Sequence, residues 1–352
     1  MTKRIDVLVV DDSAYMRKVI SNLLQSDEDI FVVDTARDGL DAIEKIKQWQ
    51  PAVVTLDVEM PKLDGLLALE RIMRECPTPV IMLSSLTQEG SDTTIRALTI
   101  GAVDFIPKPS GTISLDIQKV KEELIAKTKV AARASVSTLR NVSAPAVTTA
   151  AMPTSPSVSL TPSVSPMPGK LVVIGSSTGG PNALLQVIPR LPANLPAAVL
   201  VVQHMPPGFT KSLAQRLNDI SRLGVCEAKE GDVLQCGRVY VAPGGYHMVL
   251  LSKSVISLKQ TPPVHSVRPA VDVTLESAVQ FFGSEVVGVI LTGMGYDGSK
   301  GMTLVKKMGG RTIVQDEATC VVYGMPRVVV EMGKADKVLP VHKIAEELVL
   351  ML

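Results

Sequence analysis

Through the first 130 residues, short apolar runs alternate with longer stretches in which apolar positions recur every three or four residues. Ile5–Val10, Ile30–Ala36, Ala52–Leu56, Pro79–Leu83 and Val103–Ile106 read as strands. Helices follow from Ser13, Asp38 and Gly65; a fourth runs to about Ile100, and a fifth from Asp116 to about Arg133. Five strand–helix repeats predict a parallel sheet covered on both faces. A second series opens at Lys170–Ile174, with Ala197–Val202 and Val286–Leu291 as further buried-type strands. Glycine-rich turns punctuate it, so it too reads as an α/β pattern.

Between the two series the pattern vanishes. Asn141 to Pro168 has no charged residue and is built of Ser, Thr, Ala, Val and six prolines. Proline removes backbone donors and the small side chains bury little surface, so this stretch cannot form a core. It reads as a semi-extended linker, either a passive tether or a docking segment. The predicted borders are therefore 4–130 for the first domain, 131–169 for the linker and 170–352 for the second.

Composition agrees and narrows the classes. A length of 352 residues suits two domains, and 46% hydrophobic with 20% charged residues is a soluble globular balance. The net charge of +1 and an aromatic content of 3% argue against a nucleic-acid binder. No apolar run reaches the roughly 18–20 residues of a membrane span, and the start of the chain shows no secretory signal pattern. Cys76, Cys226, Cys236 and Cys320 lack CxxC spacing, which fits reduced thiols and a cytoplasmic location. The near-neutral total hides an acidic first domain, −5 over 1–130, and a basic second one, +4 over 170–352.

Candidate chemistry lies at the carboxyl ends of the strands, where open parallel sheets build their sites. In the first domain Asp11 and Asp12 follow the first strand, Asp57 ends the third, Ser84 ends the fourth and Lys108 follows the fifth. Three converging carboxylates repel one another, and a hard divalent cation such as Mg²⁺ resolves that repulsion. Asp57 is then a carboxylate nucleophile able to accept a phosphoryl group, with Lys108 and the Ser84 hydroxyl against its oxygens.

Residues 4–130 resemble a response-regulator receiver domain of flavodoxin-like (βα)5 form. Val9-Val10-Asp11-Asp12-Ser13, Asp57-Val58-Glu59-Met60-Pro61, Asp64-Gly65 and Lys108-Pro109 carry the resemblance. It implies Asp57 as phosphoacceptor and Asp11, Asp12, Asp57 and the Glu59 carbonyl as Mg²⁺ ligands. Phe105 stands where that family has its switch aromatic, and is equally readable as an ordinary core residue.

In the second domain the first strand runs into Gly175-Ser176-Ser177-Thr178-Gly179-Gly180 and then a helix from about Pro181. Such a turn serves either as a phosphate cradle or as a nucleophile turn with Ser177 at its centre. A serine nucleophile needs a base and an orienting acid. His204 and Asp297 both follow further strand ends, in Gln203–Gly208 and Thr292–Gly298. His247, in a Pro-Gly-Gly-Tyr turn, His265, in a proline-rich loop, and His342, near the C-terminus, are weaker bases. Acyl transfer would use backbone N–H groups as an oxyanion hole, with Thr178 and Met294 as candidates.

Together with Arg268-Pro269-Ala270-Val271-Asp272, those segments resemble the doubly wound parallel-sheet esterase domain of the chemotaxis protein-glutamate methylesterases/protein-glutamine glutaminases, the CheB family. Ala270 stands where a serine is expected and Tyr296 where an asparagine is frequent. The resemblance implies Ser177 as nucleophile, His204 as base, Asp297 as orienting acid and no cofactor in the esterase site. It implies methyl-accepting chemotaxis receptors as substrate and a chemotaxis histidine kinase as phosphodonor. No nucleic acid, membrane insertion or oligomer is expected. The opposite charges of the two domains suggest that the unphosphorylated receiver rests on the Ser177 site and that phosphorylation shifts the population to an open arrangement. A receiver-controlled transcription factor and a receiver-controlled, non-enzymatic phosphate-binding module are the competing readings.

Overall fold

The computed structural model describes residues 4–85, 87–108, 115–134 and 168–352. The greater part of the linker lies outside them. The first domain runs β1 (Ile5–Val10), α1 (Ala14–Gln25), β2 (Ile30–Ala36), α2 (Gly39–Trp49), β3 (Val53–Asp57), α3 (Gly65–Glu75), β4 (Val80–Ser84), α4 (Gln88–Ile100), β5 (Asp104–Pro107) and α5 (Leu115–Ala131). Its sheet has the order β2-β1-β3-β4-β5, parallel throughout. Every residue of β3 and β4 is buried, as strands with helices on both faces require. Side-chain caps start the helices: Asp38 accepts from the N–H groups of Leu40 and Asp41, and Asp64 from that of Leu67.

The second domain continues with β6 (Lys170–Ser176), α6 (Gly180–Val187), β7 (Ala197–Gln203), α7 (Phe209–Ile220), β8 (Gly224–Glu227), β9 (Arg238–Val241), β10 (His247–Leu250) and β11 (Ile256–Lys259). It closes with α8 (Val271–Phe282), β12 (Val286–Ile290), α9 (Ser299–Lys307), β13 (Arg311–Gln315), α10 (Met325–Glu331), β14 (Lys337–Leu339) and α11 (Val341–Met351). Seven parallel strands form one sheet, ordered β14-β13-β12-β6-β7-β9-β8, and β10 with β11 forms a separate hairpin. From the central β6 the chain first winds one way through β7 and later crosses to the other side at β12. That reversal opens a crevice beyond the carboxyl ends of β6, β7 and β12, the usual ligand position in such sheets.

The two domains touch. Helix α4 packs on α6 and α7, and Ala97, Leu98 and Phe105 belong to the same apolar cluster as Leu184, Phe209 and Leu213. The Phe105 and Phe209 rings stack with centroids 4.4 Å apart. Among the described residues no ion pair crosses between the domains. The opposite net charges therefore do not make this contact; apolar burial does, because charges moved into an interface lose their hydration.

Candidate active site

Ser176 and Gln203 are register partners on β6 and β7. The residues that follow, Ser177 and His204, therefore leave adjacent strand ends, which run ~5 Å apart. Ser177 is tied from the other flank, its N–H donating to the Thr292 carbonyl at 3.1 Å. Gly179, at φ +76°, makes the left-handed step that turns the chain into α6. Gly293 abuts Ser177 directly: a Cβ there would come within 2.9 Å of Ser177 Cβ and 2.4 Å of Met325 Sδ.

His204 Nε2 lies 2.7 Å from Asp297 Oδ2. Asp297 also receives the N–H groups of Val271 (2.6 Å), Asp272 (3.0 Å) and Gly298 (2.9 Å), the first two from the opening turn of α8. Burial by itself would raise its pKa, but the His204 hydrogen bond and charge and the α8 N–H groups outweigh it and hold the carboxyl below its ordinary value. An ionised carboxylate only accepts, so Nε2 of a neutral His204 carries the proton and Nδ1 keeps the lone pair of a base. No hydrogen bond joins the Ser177 and His204 side chains in this arrangement. Neither the Thr178 nor the Met294 N–H is used in a hydrogen bond among the described residues, which leaves both open to an oxyanion.

Gln203 is a site residue that sequence reasoning quoted without giving it a role. It is buried, donates from Nε2 to the carbonyls of Ser177 (2.9 Å) and His204 (3.1 Å), and accepts from Ser176 Oγ (2.7 Å). Its place at the end of β7, in register with Ser176, was the signal. The other histidines separate cleanly. His247 is buried in β10, with Nδ1 accepting from Ala270 N–H and Nε2 on the Pro262 carbonyl. Burial holds its pKa down and keeps it neutral. His342 lies in α11, away from the crevice. His265 bonds Asp272 at 2.9 Å, close to Asp297, a link the sequence did not reveal.

In the first domain the acidic pocket forms where β1 and β3 end. Asp11 and Asp57 are buried, Asp12 is exposed, and their carboxylate oxygens all lie within 4.8 Å of one another. Lys108 Nζ sits 2.7 Å from Asp57 Oδ2 and 3.1 Å from Asp11 Oδ2, as close ion pairs rather than well-formed hydrogen bonds. Burial is the largest influence on Asp57 and, with the Asp11 charge, prevails over Lys108, pushing its pKa up to about 6. One lysine among three carboxylates leaves a residual negative charge that fits a divalent cation. The Glu59 N–H donates to Asp57 Oδ1 at 3.3 Å. The Ser84 hydroxyl is turned into α4, donating to the Gly90 carbonyl (3.1 Å) and accepting from Thr94 (2.7 Å). Phe105 is both a buried residue of β5 and part of the contact with the second domain.

A family model described as CheB methylesterase matches residues 172–348, and one described as response regulator receiver domain matches residues 7–118. A protein-glutamate methylesterase/protein-glutamine glutaminase of Symbiobacterium thermophilum is 58% identical over 97% of this chain and 95% of its own length. The chain belongs to the CheB methylesterase family. The corresponding Thermotoga maritima protein is 50% identical over 99% of both chains. The crystal structure of the T. maritima CheB methylesterase catalytic domain superposes with a TM-score of 0.51 at 52% identity, covering 52% of this chain and 99% of that one. The CheB architecture, a receiver followed by a parallel-sheet catalytic domain, is the one the resemblance implied, and the strand pattern predicted its parallel sheets. No helix among the described residues is long and apolar enough to cross a membrane.

Proposed function

We propose that this chain is a phosphorylation-activated hydrolase acting on methyl-accepting chemotaxis receptors. It removes methyl groups from glutamate methyl esters, releasing methanol, and deamidates receptor glutamines to glutamate. The observation that carries this reading is the convergence of Ser177, His204 and Asp297 at the β6–β7–β12 crevice, with the His204–Asp297 bond made and two N–H groups free.

His204 Nδ1 takes the Ser177 proton as Oγ attacks the ester carbonyl. The Thr178 and Met294 N–H groups receive the oxyanion, and loss of one such donor costs about 10²–10³ in rate. Collapse expels the methoxy group, which leaves as methanol with the proton held by His204. Water, deprotonated by the same imidazole, then releases glutamate from Ser177. An amide follows the same path with ammonia as the leaving group.

The receiver supplies control. Its Asp104 accepts a hydrogen bond from the Thr178 hydroxyl at 2.5 Å, one residue from the nucleophile. Lys127, half-buried, holds Asp104 at 3.2 Å and the Phe105 carbonyl at 2.7 Å. In this state β5 and α4 sit beside the catalytic crevice, and a receptor helix has no approach from that side. Asp57 accepts the phosphoryl group from a chemotaxis histidine kinase. Asp11, Asp12, Asp57 and the Glu59 carbonyl would hold Mg²⁺, which neutralises charge on the group being transferred. Lys108 and Ser84 would then engage the phosphoryl oxygens. Lys108 directly follows β5, the strand that carries Asp104 and Phe105, so the switch and the contact share one element.

Replacing Ser177 with Ala tests the chemistry. Methanol release from methylated receptor membranes should fall by about 10⁴-fold or more while the melting temperature is kept. Turnover retained in that variant would remove the triad assignment.

A further inference from the structure

The loop between β12 and α9 begins with Gly293 against Ser177 and ends with Asp297 on His204. Between them Met294 and Tyr296 project outward; Tyr296 is 54% exposed even with the receiver in contact. An exposed aromatic ring adjoining the orienting acid of a triad is unusual, because nothing in the folded core asks for it.

The ring is nonetheless held. His265 packs edge-on against Tyr296 with centroids 4.6 Å apart. His265 Nε2 bonds Asp272 Oδ2 at 2.9 Å, and Asp272 Oδ1 accepts the Gly301 N–H at 2.8 Å. The Asp272 N–H in turn donates to Asp297. His265 reaches this position from a tight turn. Val264 and Val267 exchange backbone hydrogen bonds at 3.0 and 3.1 Å, and the two residues between them, His265 and Ser266, both have left-handed backbones at φ +53° and +64°. Such a turn favours Asn-Gly, and two other residues there are strained. The strain persists because the imidazole is anchored at Asp272.

We propose that Tyr296 is a specificity-determining wall of the substrate groove and that His265, anchored by Asp272, is the positioning residue that fixes its ring. The surface fits an extended protein substrate, a receptor helix laid across the crevice, whose apolar side chains pack on the ring while one glutamyl ester reaches Ser177. This rests on the esterase reading above. It adds a residue pair that acts on binding of the long substrate, separate from the triad that acts on the bond.

The test compares two esters in the full-length protein: methylated receptor membranes, and a small γ-methyl ester of blocked glutamate that lacks the flanking helix. With Tyr296→Ala, KM for receptor should rise about fivefold or more with kcat nearly kept, while the small ester loses less than about twofold in kcat/KM. Tyr296→Phe should restore the parent KM, because the edge contact needs only the ring. His265→Ala should reproduce the KM rise, and adding it to Tyr296→Ala should bring no further rise. If His265→Ala does not fold, His265→Asn replaces it, and if neither folds the Tyr296 pair alone decides. An unchanged receptor KM in Tyr296→Ala overturns the proposal. So does a His265 variant that loses small-ester turnover as strongly as receptor turnover, which would mean that it acts through Asp297. Absence of turnover of either ester by the parent protein would instead overturn the esterase reading.

Discussion

Asp297 shows how one side chain is tuned by its surroundings. It meets His204 and the N–H groups of Val271, Asp272 and Gly298, and its carboxyl is held below the ordinary value. A carboxyl lowered on folding contributes stability that is complete above the unfolded pKa and is lost as pH falls through the folded one. Asp297→Ala should therefore lower the melting temperature at pH 7, and the gap to the parent should close on acidification below about pH 4. Thermal melts across pH 2.5–8 read this directly; a gap independent of pH would mean that packing, not charge, was lost. The same variant should cut ester hydrolysis by roughly 10⁴-fold, since the imidazole loses its tautomer. Ser177, His204 and Asp297 were legible in the sequence because strand ends are local features and the crevice joins them. The part played by His265 was not. A left-handed turn with no glycine gives no local signal, and the aspartate it meets lies on the next helix.

On the proposed reading, strand β5 is the element on which control turns. Four residues carry Asp104, bonded to Thr178, and Phe105, stacked on Phe209, and Lys108 follows at their end against Asp57. An aromatic stack contributes about 0.5–1.5 kcal/mol beyond its buried area. Removing about 1 kcal/mol from the closed arrangement shifts its population roughly fivefold. Phe105→Ala should thus raise ester hydrolysis by the unphosphorylated protein several-fold and shrink phosphodonor stimulation in proportion; basal activity at the parent level would separate the stack from control. All five βα units of the receiver were readable from period and turn chemistry. In the second domain β8 to β11, β13 and β14 were not, being three to five residues each, too short for a periodic signal against the surrounding loops. The stacking of Phe105 on another domain has no sequence pattern either, since both rings read locally as core.

In the whole molecule, an acidic receiver and a mildly basic hydrolase domain meet through an apolar contact rather than through ion pairs among the described residues. The charge difference is visible along the sequence, but it sits on solvated faces, where screening leaves it little force. Among the described side chains, a ring stack, a helix packed on two others, Val321 against the receiver core and a hydroxyl–carboxylate bond beside Ser177 cross the boundary. The central claim is that phosphorylation of Asp57 frees the Ser177 crevice. Methanol release from methylated receptor membranes, with and without a small phosphodonor and Mg²⁺, tests it most directly when run on the parent protein and on Asp57→Asn. The parent should be stimulated and Asp57→Asn should stay at its basal rate. Equal stimulation of both would contradict the account.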